Sequence, residues 1–339
     1  MKITIITLAY NHERYIREAL SSAIAQSISA DEIIVIDDAS GDNTAALIEA
    51  FIREHPEAPF NFIRNERNLG LTASFAKAVA IARGDVLLMM AGDDVSAPVR
   101  VERCVDYLSA HPSAKALITN ADIIDGESRR CGVLDNCAGM TEPASLGLEG
   151  LQAWTYFLRG RSSCGAAAAY RAEVFSAFSP LSPGLFAEDD PAAFRAMLLG
   201  TCDFLPERLV AWRRHATNLS YGSGSLRGPG MAIQYRKCEA MVEEMIADAG
   251  EWVMRYELQP GNEFGNAVSS LRFYKSKWAL WAAAHEGGLS LHKFFSAVKE
   301  MAEIAPPPSL FLKEVWRPAF RMFTPFLVQR LMANIRSQR

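Results

Sequence analysis

The chain has 339 residues, half of them apolar and 22% charged, enough for one large domain with an accessory region or for two domains. Its 35 Lys and Arg against 39 Asp and Glu give a formal net charge of −4, and no nucleic-acid partner is expected. A strand-like start, "MKITIITL", has no signal-peptide cleavage region behind it, and no run approaches the roughly 18 apolar residues of a spanning helix.

In chain order, five short buried strands are predicted at Ile3–Leu8, Glu32–Asp37, Phe60–Arg64, Val86–Met90 and Lys115–Thr119. Helical spacing separates them. Tyr15, Ile16, Ala19, Leu20, Ala23 and Ile24 form one apolar stripe, Leu47, Ile48, Phe51 and Ile52 a second, and Phe75, Val79 and Ala82 a third. Ser96 followed by Pro98 reads as the start of a fourth helix that carries Val101, Cys104, Val105 and Leu108. This alternation predicts a mostly parallel sheet covered on both faces, with ligands beyond the carboxyl ends of its strands. The polar residues lie there: Tyr10-Asn11 after the first strand, Asp37-Asp38 after the second, Asn68-Leu69-Gly70 after the third, Asp93-Asp94 after the fourth.

Beyond Asp122 the pattern weakens. A helix is expected at Gln152–Arg159 and another over "AEDDPAAFRAMLLG", residues 187–200; Tyr221–Gly230 reads as a flexible loop, and the remainder as helices interrupted by "APPPS" at Ala305–Ser309. The six cysteines (Cys104, Cys131, Cys137, Cys164, Cys202, Cys238) make no CxxC pair or zinc-like spacing, which suggests reduced thiols and a cytoplasmic location.

Two adjacent carboxylates at the mouth of a greasy strand, Asp93 and Asp94, are either a solvated turn with Ser96 as helix cap or a site needing a divalent cation. Without a cation their mutual repulsion raises one pKa. "TLAYNHE" after the first strand has no GxGxxG, and the chain has no GxxxxGK[ST], so neither a dinucleotide fold nor a P-loop is indicated.

Several segments, in order, resemble the family 2 glycosyltransferases of GT-A fold: Thr7–Ser27, "DEIIVIDDASGDNT", "NERNLGLTASFAKAVAIARGD", "LMMAGDDV", "AEDDPAAFRAMLLG" and "LVAWRRHATNLS", together spanning roughly residues 1–220. The resemblance implies a GT-A catalytic domain over 1–230; the helical pattern of the remainder marks a C-terminal region over 231–339. The resemblance also implies a nucleotide-sugar donor, Tyr10 against the base, Asp38 with Asp37 on base or ribose, and Asn11, Asn68 and Gly70 shaping the pocket. The family's DxD element falls on Ala91-Gly92-Asp93, so Asp93 is the expected ligand of Mn²⁺ or Mg²⁺, one acid short of the family pattern, and Asp94 supports it or orients the sugar. Arg213 and His215 are expected to face donor phosphates or the metal, with His215 as a second ligand. Asp189, rather than Asp190, is the implied general base, helped by Glu188, in an inverting displacement.

The donor is expected to be a UDP-sugar, and the acceptor a glycan or lipid-linked glycan of a surface polysaccharide. Arg227, in the 221–230 loop, is a candidate phosphate contact if that loop closes as a lid. Alternatives are a non-catalytic nucleotide- or glycan-binding module, favoured only by Ala91, and a sugar-phosphate nucleotidyltransferase, whose Gly-rich N-terminal loop is missing. From Leu271 onward 11 basic residues stand against 4 acidic. Ser309–Arg339 mixes aromatic and basic residues in a way that suits peripheral attachment at the inner membrane surface. Packing onto the catalytic domain, or onto a second copy in a homodimer, is the alternative.

Overall fold

The computed structural model describes residues 1–136, 144–146, 164–215, 218, 229–257 and 262–285, with Ser296, Lys299 and Met301. The expected helix at Gln152–Arg159, the loop through Arg227 and the basic segment 309–339 lie outside the described residues.

The first half alternates as expected: β1 (Ile3–Ala9), α1 (Ile16–Ile24), β2 (Glu32–Asp37), α2 (Thr44–Glu54), β3 (Phe60–Arg64), α3 (Leu71–Ile81), β4 (Val86–Ala91), a two-residue β5 (Val95–Ser96), α4 (Arg100–Ala110) and β6 (Ala114–Ile124). There follow β7 (Arg130–Leu134), β8 (Ala144–Leu146), a 3-10 turn at Gly165–Ala167, β9 (Ala168–Arg171) and α5 (Glu173–Ser176). The described chain continues with α6 (Asp189–Leu199), β10 (Thr201–Arg213), α7 (Pro229–Arg255) and α8 (Asn262–His285).

These strands form one ten-stranded sheet in the order β3-β2-β1-β4-β9-β6-β10-β5, with β7 on β6 and β8 on β10. β1 lies parallel between β2 and β4, β2 is parallel to β3, and β6 to β10; β9 runs antiparallel between β4 and β6. Every residue of β1 and β2 is buried, which is why both read as near-continuous apolar runs. α1 buries Ile16, Ala19, Leu20 and Ala23, and α2 buries Ala45, Ile48 and Phe51. Most of these side chains join Ile3, Ile5, Ile33 and Val35 in one core. Truncating one such residue, Leu20→Ala for instance, costs about 2–5 kcal/mol.

Two expectations need correction. Ser96 is not a helix cap: it lies in β5, and α4 starts at Arg100 with no side-chain cap. The Ser96 hydroxyl instead accepts a hydrogen bond from Arg100 Nη1 at 3.1 Å. The 13-residue strand β10 was not foreseen, because Pro206, Glu207 and Arg208 interrupt its pattern where the β6 register shifts.

Buried Arg100 acts as a staple. Its Nη2 donates to the carbonyls of Met89 (2.7 Å), Ala166 (2.8 Å) and Ala168 (3.2 Å), tying β4 to the 3-10 turn and β9.

The chain divides into two compact units, residues 1–225 with 244–263, and residues 226–243 with 264–339. Within the second, the Tyr235 ring stacks on Trp278 at 5.4 Å, Lys277 lies over both Tyr274 and Trp278, and Lys275 pairs with Glu243 at 2.7 Å. Among the described residues no helix is long and apolar enough to cross a membrane.

Candidate functional site

The site is built at the carboxyl edge of β1, β2 and β4. Asp38 N–H donates to the Ala9 carbonyl and Gly92 N–H to that of Leu8, each at 2.8 Å, so the segments leaving these strands lie side by side. Tyr10 is 42% exposed there. Asn11, held at φ 57°, accepts from Gly41 N–H through Oδ1 (2.8 Å) and donates its own N–H to Ser40 Oγ (2.8 Å). Asp37 accepts the Ser40 N–H (3.1 Å) and hydroxyl and lies 3.7 Å from Arg64 Nε. Asp38 accepts from Leu69 N–H (2.8 Å), Gly70 N–H (2.9 Å) and Asn65 Nδ2 (2.8 Å). Gly70 has φ +87°, a conformation side chains disfavour, and its N–H also meets Asn68 Oδ1 at 3.1 Å. Asn11, Asp37 and Asp38 therefore fix the loops around Tyr10, with their side chains already bonded to protein groups.

After β4, Asp93 is buried, and its Oδ2 is the focus of three side chains. His215 Nε2 lies at 2.9 Å, Asn218 Nδ2 donates at 3.0 Å, and His12 Nε2 approaches to 3.7 Å. Burial alone would push the Asp93 carboxyl up, but the His215 hydrogen bond and the two imidazoles outweigh it and hold the group below the usual carboxylate range. Asp94 goes the other way: burial, and then the charge of Asp93, push it well above that range. Its Oδ1 accepts Arg213 N–H at 2.7 Å, while its buried Oδ2 has no hydrogen-bond partner among the described residues. Asp94 is only 1% exposed. Gly92 is required between these elements: a Cβ there would stand 2.8 Å from His12 Nδ1 and 3.0 Å from the Ala9 Cβ.

Arg213 departs from expectation. Its side chain is 1% exposed and turned inward, with Nε on the Asp93 carbonyl (2.7 Å) and Nη2 on Glu18 Oε2 (2.6 Å). It is not directed at an open phosphate position.

The second carboxylate pair sits at the N-terminus of α6. Burial, and then Asp189, raise Glu188 to about 8; burial raises Asp189 to about 6. Glu188 Oε2 is buried without a hydrogen-bond partner among the described residues. Asp189 Oδ1 accepts the Asp190 N–H at 3.0 Å. The chain passes so close at Gly165 that a Cβ there would lie 2.5 Å from Glu188 Oε1 and 3.5 Å from the Asp189 Cβ.

The 3-10 turn passes the Glu188-Asp189 pair at Gly165 and is tied to β4 through Arg100, whose Nη2 donates to the carbonyls of both Met89 and Ala166. The residue preceding the turn, Cys164, has its thiol pushed up by burial, then by Asp94, then by Asp189, which places it within electrostatic reach of both. Thr72 Oγ1, two residues past Gly70, donates to the Leu185 carbonyl at 2.8 Å and so links the Asp38 loop to the approach of Glu188.

Several contributors were missed in the sequence. His12 is a single residue after Tyr10-Asn11 with no pattern around it. Asn218 lies inside the "WRRHATNLS" tail but had no role assigned. Asn65, Glu18 and Gly165 gave no local signal.

Among the described residues no group of three or more His, Cys, Asp or Glu is arranged to hold a metal ion. The Asp93 carboxylate oxygen beside the His215 nitrogen is a mixed oxygen and nitrogen pair, whose chemistry fits Mn²⁺ better than the all-oxygen preference of Mg²⁺.

The glycosyl transferase family 2 model matches residues 4–177. An uncharacterized glycosyltransferase of Nostoc sp. (strain PCC 7120) is 28% identical over 225 residues, covering 64% of this chain and 66% of the relative. The succinoglycan biosynthesis protein ExoO of Rhizobium meliloti is 32% identical over 130 residues, 38% of this chain and 36% of that protein. The crystal structure of S. aureus TarS 1–349 in complex with UDP-GlcNAc matches with a TM-score of 0.62 at 18% identity, covering 90% of this chain and 82% of that one.

Proposed function

The chain belongs to glycosyl transferase family 2 and is a glycosyltransferase of GT-A fold, and on that premise we propose that it moves a sugar with inversion from a UDP-sugar to a hydroxyl acceptor in surface-polysaccharide synthesis. The UDP part of the reading rests on the UDP-GlcNAc held by TarS, and the polysaccharide part on the name of ExoO.

The observation that supports the reading is that the 3-10 turn, which passes the Glu188-Asp189 pair at Gly165, is tied through Arg100 to β4, the strand that leads to Asp93. Asp93 and His215 are the residues that would hold Mn²⁺ or Mg²⁺. That cation supplies charge neutralisation for the diphosphate leaving group. Tyr10, exposed beside the loops that Asn11, Asp37 and Asp38 fix, is placed to lie against the base.

Asp189 is ionised at neutral pH yet more basic than an ordinary aspartate, which suits a general base. It takes the proton of the acceptor hydroxyl as that oxygen bonds to the anomeric carbon. The bond from that carbon to the phosphate oxygen breaks in the same displacement, and the nucleoside diphosphate leaves. Glu188, protonated at neutral pH, has a hydroxyl to donate and orients the acceptor or Asp189.

The test is an assay of donor hydrolysis and transfer with UDP-, GDP- and dTDP-sugars in the presence of Mn²⁺. Turnover of a UDP-sugar is expected. Donor binding without turnover of any of the three would contradict the reading and favour a binding module.

A further inference from the structure

Arg213 is buried, and a buried guanidinium needs a partner for each of its nitrogens. Its Nε donates to the Asp93 carbonyl at 2.7 Å, Nη1 to the Asp125 carbonyl (2.9 Å) and Ser128 Oγ (3.0 Å), and Nη2 to Glu18 Oε2 at 2.6 Å. Its backbone N–H donates to Asp94 Oδ1 at 2.7 Å. The guanidinium also lies over the Tyr15 ring, 4.5 Å from its centroid, and that ring is 5.0 Å from the ring of His215. The anchors are themselves tied, since Ser128 Oγ donates to both Glu18 oxygens at 3.0 and 2.9 Å. One side chain thus joins α1, the turn between β6 and β7, and the segment after β4.

Resting on the donor-site reading above, we propose that Arg213 is a positioning residue: without touching the donor it sets the Asp93-Asp94 peptide, and Glu18 and Ser128 set Arg213. Its Nε bond holds the Asp93 carbonyl, so the direction in which the Asp93 carboxylate leaves the chain depends on it. Its backbone bond holds Asp94 behind. Through Tyr15 it also packs against the ring of His215, which meets Asp93 from the other side. Only a planar fork of fixed donors can serve these directions together; an ammonium keeps the charge but not the geometry.

The experiment measures Mn²⁺ affinity by electron paramagnetic resonance and UDP affinity by calorimetry, with thermal melts on the same samples. The proteins are wild type, Arg213→Lys, Glu18→Gln and a control, Glu54→Gln, which breaks the exposed Arg17–Glu54 pair. Arg213→Lys is expected to weaken Mn²⁺ and UDP binding about tenfold or more, as loss of an outer-shell partner does. Glu18→Gln loses less in the same direction, and Glu54→Gln matches wild type. If Arg213→Lys does not fold, the comparison of Glu18→Gln with Glu54→Gln decides. Folded Arg213→Lys or Glu18→Gln with wild-type affinities would overturn the proposal, as would equal losses in Glu18→Gln and Glu54→Gln. Wild type that binds neither Mn²⁺ nor UDP would instead overturn the donor-site reading itself, a result distinct from any difference between variants.

Discussion

His215 Nε2 lies 2.9 Å from Asp93 Oδ2 across 122 residues of chain. The contact joins the end of β10 to the end of β4, and neither strand neighbours the other in the sheet. It puts an imidazole nitrogen and a carboxylate oxygen at one point beyond the end of β4.

Replacing the base should separate chemistry from binding. Asp189→Asn keeps the size of the side chain but cannot accept the acceptor's proton. Transfer should fall by about 10²–10⁴-fold while UDP affinity stays within a factor of about two. Steady-state kinetics and calorimetry on the same preparation check this, and loss of UDP binding in the variant would contradict the assignment.

The pH dependence follows from the raised carboxyls. Asp189 must be ionised and Glu188 protonated to act, so transfer should rise as pH increases through about 6 and fall again as it passes about 8. For stability the sign is set by Glu188. Burial, and then Asp189, lift Glu188 to about 8, so the folded chain binds that proton more tightly than the unfolded chain. The stability contributed is present below the unfolded value and is lost as pH rises towards about 8. Glu188→Gln removes this loss. Urea melts should show the variant gaining on wild type between about pH 4.5 and pH 8, by an amount on the order of a few kcal/mol.

Gly165→Ala tests the close passage beside the acidic pair. The new Cβ would meet Glu188 Oε1 at 2.5 Å, so the carboxyl must move. Overpacking of this kind costs about 1–3 kcal/mol, and kcat should fall with little change in the KM for the donor. Unchanged kcat would mean that Glu188 has no part in the reaction.

Much of the fold was legible because buried parallel strands leave an unmistakable mark. β2 and β3 have the predicted boundaries, and β1 and β4 each run one residue further. The apolar stripes fall on α1, α2, α3 and α4 for the same reason, although Tyr15 lies just before α1 and Ala82 just beyond α3. β10 was illegible because Pro206 and two charges break its alternation, and β9 because "AAYR" is four residues long. At the site, residue types at strand ends could be read, but not what each side chain would meet. The direction of Arg213 depends on Glu18, 195 residues away, and on Ser128, 85 residues away, and nothing local to "WRRH" encodes it.

On α6, Arg195 makes a two-point contact with Asp248, Nε to Oδ2 at 2.8 Å and Nη2 to Oδ1 at 2.7 Å. Arg195 is 1% exposed, and Glu244 is a further partner at 3.5 Å. Asp248→Ala leaves most of that charge uncompensated and should destabilise the protein by about 3–5 kcal/mol. Asp248→Asn, which keeps an acceptor, should cost less. Denaturant melts rank the two.

The most direct test of the donor site is calorimetry of UDP binding to wild type and Asp93→Asn, each with and without Mn²⁺. Wild type should bind UDP more tightly when Mn²⁺ is present, and Asp93→Asn should lose that gain by about tenfold or more while remaining folded. Equal UDP affinity in the two proteins, with the same response to Mn²⁺, would contradict a donor site centred on Asp93.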